Sequence, residues 1–139
     1  MPSPIIPTNM GLVQVHVNLA IAVMLFNTIL GVWGFIKFFR GHGMDGNFFG
    51  AVALSPILGL VQLAMGLVLV GMGLGVNVRF VHYIYGALVI ISVPSVFAFT
   101  RGRDDRGAVL IYAAVLLLTA AFGLRAYTTG YESVYGTGL

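Results

Sequence analysis

Four long apolar stretches, separated by short polar turns, make up most of the chain. They cover about residues 12–39, 48–74, 80–100 and 108–127. Each reaches the roughly 20 residues that an α-helix needs to cross about 30 Å of hydrocarbon. The pattern therefore predicts an all-α fold, an integral membrane four-helix bundle, with residues 1–139 forming a single four-span transmembrane domain.

The basic residues of the predicted turns are distributed unevenly between the two sides of the bundle. The side with the first and third turns carries Lys37, Arg40, Arg101, Arg103 and Arg106, whereas the other side carries Arg79 and Arg125. Basic residues in short loops favour the cytoplasmic side of a membrane. We therefore expect both termini on the outer side of a multi-pass protein in a bacterial-type cytoplasmic membrane.

The composition supports a membrane protein and excludes several other classes. Hydrophobic residues make up 59% of the chain and charged residues 8%, and cysteine is absent. Without cysteine, the chain can form neither a disulfide nor a thiolate-bound iron–sulfur cluster. The pI near 9.6 reflects the basic turns, because no Lys/Arg cluster is interleaved with aromatic residues. The expected environment is the lipid bilayer, and nucleic acid is not an expected partner.

Two histidines, His16 and His82, are the main candidates for chemistry. Each lies near the start of an apolar stretch, and the first and third spans run parallel, so both side chains enter the same leaflet. Ionisable residues inside membrane helices commonly mark functional sites. Two neutral imidazoles facing one another could ligate the iron of a haem. The alternatives are hydrogen-bonded interfacial histidines or another metal, although His42 falls on the opposite side and could not complete such a site.

Other residues around the histidine pair could support a cofactor. Arg79 and Arg125 could neutralise haem propionates, or could simply reach lipid headgroups. Gly66 and Gly86 leave space beside the two histidines, which a flat ring could use. Gln62 could contact a cofactor edge or form a hydrogen bond across the bundle. We therefore predict a cofactor site made of these residues, with His16 and His82 as the haem-iron ligands.

Several enzyme and transporter classes are excluded by residue type. No Asp or Glu lies inside a predicted span, which removes the usual coupling site of a small cation or proton exporter. The sequence has no Ser-His-Asp arrangement, phosphate loop or dinucleotide fingerprint. No catalytic residues are predicted.

Three segments carry a resemblance to a known family. They are VHVNLA at 15–20, LVQLAMGLVL at 60–69 and VHYIYGAL at 81–88. Together they resemble one four-helix half of the haem A synthase family, which has a histidine pair on parallel helices of each half. The spacing of the two histidines, 82 − 16 = 66 residues, is similar to that family's. The resemblance implies haem ligation by His16 and His82.

The chain also differs from that family in two respects. It corresponds to only one half, so a homodimer or a larger membrane complex would be needed to recreate the family's architecture. The family's glutamate one turn before the first ligand is Val13 here. The resemblance therefore implies haem binding without the haem-modifying reaction of the synthase.

The sequence thus predicts a small membrane protein similar to b-type cytochromes. It would bind one haem b for single-electron transfer, with a quinol or a redox protein as the electron donor. The alternative is a cofactor-free accessory subunit of a respiratory or photosynthetic membrane complex, which low charge and short loops suit equally. A haem or lipid carrier is a third interpretation, based only on the glycine-rich interior.

Overall fold

The computed structural model describes residues 8–75 and 77–135, which form four α-helices joined by short turns. The helices are α1 (Thr8–Phe39), α2 (Gly46–Gly71), α3 (Phe80–Thr100) and α4 (Arg106–Tyr135). All four are long and apolar enough to cross a membrane. The prediction of an all-α fold with four such helices is confirmed, whereas the predicted orientation of the termini stays a prediction.

The turns end and begin helices through identifiable local contacts. Asp45 caps α2, where its carboxylate accepts a hydrogen bond from the backbone N–H of Phe48 at 2.8 Å. Asp105 does the same for α4 by accepting from Ala108 at 2.9 Å. At the end of α3, Arg101 adopts a left-handed backbone conformation with φ of 51°. Such caps satisfy backbone groups that helix ends leave unpaired.

The four helices pack as a square in which each helix lies beside its neighbours in sequence, and α4 closes the square against α1. α1 packs on α4 and α2, and α3 packs on the same two helices, so that α1 and α3 are diagonal within the described residues. The α1–α4 contact is close because α1 presents Gly31 and Gly34 there. A Cβ atom at Gly34 would lie 2.8 Å from the Ala113 side chain. Small residues allow such close approach of membrane helices.

The hydrophobic core is concentrated at one end of the bundle, which we call the loop end. This end holds the turns between α1 and α2 and between α3 and α4. The core residues come from the end of α1, the start of α2, the end of α3 and the start of α4: Leu30, Phe48, Val52, Val93, Val96, Val109, Tyr112 and Leu116. The opposite end, with His16 and His82, is called the histidine end.

A buried polar pair joins α1 and α2 near the middle of the bundle. The Ser55 hydroxyl donates to the Asn27 side-chain oxygen at 2.6 Å, and both residues are fully buried. The Asn27 amide nitrogen donates to the backbone carbonyl of Val23 at 2.8 Å. The pair is therefore satisfied internally, and it fixes how α1 and α2 align along their length.

Three helix ends lie three or more residues from the predicted spans. α1 begins at Thr8 rather than near residue 12. α2 ends at Gly71, and Gly73 lies in the following turn with φ of 79°, a conformation that favours glycine. α4 continues to Tyr135 rather than ending near residue 127. The additional two turns of α4 bring Gly130 and Glu132 to the histidine end, where they contact α3 residues.

Candidate functional site

His16 and His82 meet inside the histidine end although they come from diagonal helices. Their ring centroids are 6.2 Å apart, and the ring planes are inclined by 56°. Both residues are half-buried. Because α1 and α3 do not pack directly on each other in the residues that the structure describes, the two side chains meet by pointing into the space between the helices. The bundle thus brings the two predicted ligands together.

The imidazole of His82 is held by α4. Its Nδ1 donates to the backbone carbonyl of Ala126 at 2.7 Å. The same carbonyl accepts a hydrogen bond from the Thr129 hydroxyl at 3.1 Å. With Nδ1 as the donor, a neutral imidazole keeps its lone pair on Nε2. Nε2 is therefore the nitrogen that this arrangement leaves available to a ligand.

The His82 ring also lies directly over Gly130. A Cβ atom added at Gly130 would be 2.8 Å from His82 Nδ1 and 2.9 Å from Cε1. Any larger residue there would displace the ring and break its hydrogen bond to Ala126. Gly130 therefore belongs to the site by providing the space that the His82 ring occupies.

The imidazole of His16 is held by α2. The amide nitrogen of Gln62 donates to the His16 backbone carbonyl at 3.0 Å and lies 3.4 Å from His16 Nε2. One turn later, a Cβ atom at Gly66 would contact His16 Cε1 at 3.4 Å. Gln62 and Gly66, four residues apart, are on the same helix face. The structure thus places both predicted residues against His16.

Two polar atoms next to the histidine pair are buried without a partner. They are Nδ1 of His16 and the side-chain oxygen of Gln62. Leaving a buried polar atom unpaired costs about 1–3 kcal/mol. No other buried side-chain nitrogen or oxygen of the described residues lacks a partner. Within the described residues, the buried side-chain nitrogen and oxygen atoms that lack a partner are therefore confined to this site.

The predicted propionate partners lie at the surface of the histidine end. Arg79 precedes α3, and its guanidinium contacts Glu132 of α4 at 3.3 Å in an exposed ion pair. Its backbone N–H donates to the Ser133 hydroxyl at 3.2 Å. Arg125 is exposed on α4. The structure thus gives Arg79 a carboxylate partner that was not predicted, and Arg125 directly precedes Ala126, whose carbonyl accepts from His82.

Gly86 differs from Gly66 and Gly130 in its surroundings. A Cβ atom at Gly86 would meet nothing within 4 Å. An alanine is therefore sterically acceptable at this position, and the chain's own packing does not require glycine there.

The residues that sequence reasoning missed all lie on α4: Ala126, Thr129 and Gly130. Thr129 and Gly130 were missed because the fourth span was predicted to end near residue 127, and Ala126 because it contributes only its backbone carbonyl. One available signal was the spacing of Gly123 and Gly130, which are seven residues, or about two helical turns, apart and so share a face. In the structure, both glycines face neighbouring helices, with Gly123 against Met24 of α1.

His42, the third histidine, lies at the opposite end of the molecule. It is exposed in the turn after α1, where its backbone N–H donates to the Lys37 carbonyl at 2.9 Å. In the parts of the chain that the structure describes, no three His, Cys, Asp or Glu side chains come together as a metal site. His16 and His82 are thus a pair without a third ligand of these types.

Comparison with known proteins does not assign a function to this site. No protein-family model, curated protein or solved structure matches the chain significantly.

Proposed function

We propose that this protein binds one haem b through His16 and His82 and serves single-electron transfer in a membrane. The observation that carries the proposal is the approach of the two imidazoles, whose centroids are 6.2 Å apart. The ligands come from two helices whose backbones do not approach each other closely in the described part of the chain. Bundle interiors are common locations for cofactors held by side chains on facing helices.

The separation of the rings fits a shared metal ion. Metal–imidazole bonds are about 2 Å long and a ring centroid lies roughly 1.2 Å behind its nitrogen, so two rings on one ion have centroids about 6 Å apart. The hydrogen bond from His82 Nδ1 to Ala126 is the kind of outer contact that orients a ligating histidine. The two unpaired buried atoms beside the rings also favour a site that binds something.

The chain's own residues hold and shield the cofactor in this proposal. Haem supplies a one-electron iron couple, and two histidine ligands leave no position open for oxygen. Ala126 and Gly130 would hold the His82 ring in place, and Gln62 would hold the His16 backbone through its carbonyl, with Gly66 beside the ring. Arg79 and Arg125 place positive charge at the same end, where propionates would favour it. Because two histidine ligands would leave no open position on the iron, the site favours electron transfer over the reaction of a haem A synthase.

The cellular setting follows from the distribution of basic residues. The loop end carries most of the Lys and Arg residues, and this side faces the cytoplasm under the positive-inside rule. The haem would then lie near the outer surface of a bacterial-type cytoplasmic membrane. A quinol or a redox protein would deliver the electron there, and a homodimer or a larger membrane complex would be the functional assembly.

A titration with haemin tests the proposal. Detergent-purified wild-type protein should bind one equivalent and give the spectrum of a low-spin, six-coordinate haem. His16→Ala and His82→Ala should each abolish that spectrum. His42→Ala is the matched control and should behave as wild type, because His42 lies at the loop end. Wild-type protein that binds no haemin would overturn the proposal and favour the accessory-subunit interpretation.

A further inference from the structure

Arg106, the first residue of α4, is held against the end of α1 at the loop end. Its Nε donates to the Phe38 backbone carbonyl at 2.8 Å, and its guanidinium carbon lies 4.3 Å from the centroid of the Phe38 ring. A cation is attracted to an aromatic face at this distance. The guanidinium of this exposed residue is therefore oriented before any ligand binds.

The rest of the Arg106 guanidinium is open to a partner. A guanidinium has five N–H donors, and the bond to the Phe38 carbonyl uses one of them. Arg103, in the turn before α4, pairs with Asp105 at 3.3 Å, whereas no ion pair among the described residues includes Arg106. Two parallel N–H groups of a guanidinium match two oxygens of a phosphate. The outward donors of Arg106 therefore suit a phosphate group.

An aromatic cluster on α1, made of Phe35, Phe38 and Phe39, continues from Arg106. The Phe38 ring lies edge-on to Phe39 with centroids 5.5 Å apart, and Phe39 stacks on Phe35 at 6.4 Å. Phe39 is 75% exposed. Aromatic residues are enriched where membrane hydrocarbon meets the headgroups. The cluster therefore offers an apolar surface to lipid chains beside a cation that suits a headgroup phosphate.

We propose that Arg106 and this aromatic cluster bind an anionic phospholipid, with the guanidinium on the headgroup phosphate and the phenylalanine rings against the acyl chains. Charge favours an anionic lipid, because residues 37–45 and 101–106 include five basic and three acidic residues, a net charge of +2. A zwitterionic headgroup adds a cation of its own, which offsets this attraction. The inference goes beyond the proposed function and does not depend on haem.

Native mass spectrometry of the detergent-purified protein tests the site, with phosphatidylglycerol and phosphatidylcholine added in equal amounts. Wild type should retain phosphatidylglycerol in preference. Arg106→Gln should bind it about fivefold more weakly, as expected for one basic residue at a membrane surface. Arg103→Gln is the matched control, because it removes the same charge from a guanidinium that already has a carboxylate partner. It should bind phosphatidylglycerol nearly as wild type does.

Equal losses in the two arginine variants would show that only the overall charge matters, and would overturn the site. A wild-type protein without a preference for phosphatidylglycerol would overturn it as well. Phe39→Ala changes an exposed side chain, so it should keep the helical content of wild type by circular dichroism and still bind the lipid more weakly. Unchanged binding in this variant would remove the aromatic cluster from the site.

An excess of inorganic phosphate separates a lipid site from a site for free phosphate. The lipid should stay bound, because the acyl chains contribute contacts that inorganic phosphate lacks. Release of the lipid by phosphate would overturn the lipid assignment. Arg106→Gln should bind haemin as wild type does, since Arg106 contacts the end of α1 that is far from His16. Failure of the lipid site and failure of the haem site are therefore distinguishable.

Discussion

The two ends of the bundle differ in how completely their buried polar groups find partners. At the loop end, eight buried residues form one core, and the nearly buried Lys37 pairs with Asp45. At the histidine end, the two buried polar atoms that lack partners in the described residues lie side by side on His16 and Gln62. The comparison teaches that one bundle can complete its packing at one end while it leaves buried polar atoms unpaired at the other.

The comparison predicts that the largest effect on stability comes from the loop end. Phe48 is fully buried, and the Trp33 ring lies nearly perpendicular to its ring with the two ring centroids 5.2 Å apart. Phe48→Ala leaves a cavity, and the free energy of unfolding should fall by about 2–3 kcal/mol, less than in soluble cores because lipid also solvates apolar groups. Thermal unfolding in detergent measures this loss.

Phe99→Ala is the control for that prediction, because Phe99 is 74% exposed on α3. It should change the unfolding temperature little. A folded Phe48→Ala protein should also keep the haem affinity of wild type. Equal unfolding temperatures for the two variants would show that the loop end does not maintain the fold.

A smaller effect, confined to haem binding, is expected from Gly130. Gly130→Ala places a Cβ atom 2.8 Å from His82 Nδ1, which displaces the ring and breaks its bond to Ala126. Haemin affinity should fall about tenfold or more. Gly50→Ala, in α2 at the loop end, should bind haemin as wild type does, since its Cβ atom meets no neighbour and lies away from the histidines. Similar losses in both variants would argue against a specific role for Gly130.

The buried polar pair between the two ends should contribute less to the free energy of unfolding than Phe48 does. Ser55→Ala removes the donor that satisfies the Asn27 oxygen at 2.6 Å. Hydrogen bonds between membrane helices contribute about 0.6 kcal/mol on average and up to about 1.7 kcal/mol, so the loss in stability should fall in this range. Ser95→Ala is the control, because Ser95 is exposed and bonds only within α3. A Ser55→Ala protein as stable as that control would contradict a role for the pair.

The smallest effect is a pH dependence at the loop end. The Lys37 ammonium, followed by the Phe48 backbone N–H, lowers the pKa of Asp45 below its ordinary 3.8. A carboxyl whose pKa is lower in the folded protein than in the unfolded chain stabilises the fold at pH values above its unfolded-state pKa. This contribution disappears as the pH falls through the folded-state pKa. The Tm difference between wild type and Asp45→Asn should therefore be present at pH 7 and absent at pH 2.

Asp104→Asn is the control for the pH prediction. Asp104 contributes its backbone carbonyl to Met44, whose N–H donates to it at 2.7 Å, and the substitution leaves that group intact. Its Tm should follow wild type at both pH values. If Asp45→Asn has the same Tm as wild type at pH 7, the ion pair between Lys37 and Asp45 does not stabilise the loop end.

The sequence was sufficient for the parts of the molecule that depend on local pattern. Uninterrupted apolar stretches predicted four helices, because every backbone polar group inside a membrane must be satisfied within its own segment. The matched positions of His16 and His82 in two parallel spans indicated that they could meet, and the structure places their rings 6.2 Å apart.

The parts that sequence reasoning missed depend on contacts between distant residues. The polar residues after Tyr127 suggested the end of a span, yet α4 continues to Tyr135. Hydropathy cannot detect this continuation, because a helix can extend beyond the hydrocarbon with polar residues. The contacts of Gly130 with His82 and of Glu132 with Arg79 join residues about 50 positions apart, and only the packing of α3 on α4 reveals them.

A reduced-minus-oxidised visible spectrum of wild-type protein, purified in detergent from haem-replete cells, tests the central claim most directly. If the histidine end is a haem site, the spectrum should show the sharp reduced bands of a six-coordinate b-type haem, and they should disappear in both His16→Ala and His82→Ala. A colourless wild-type protein, or bands that persist in both variants, would contradict the account.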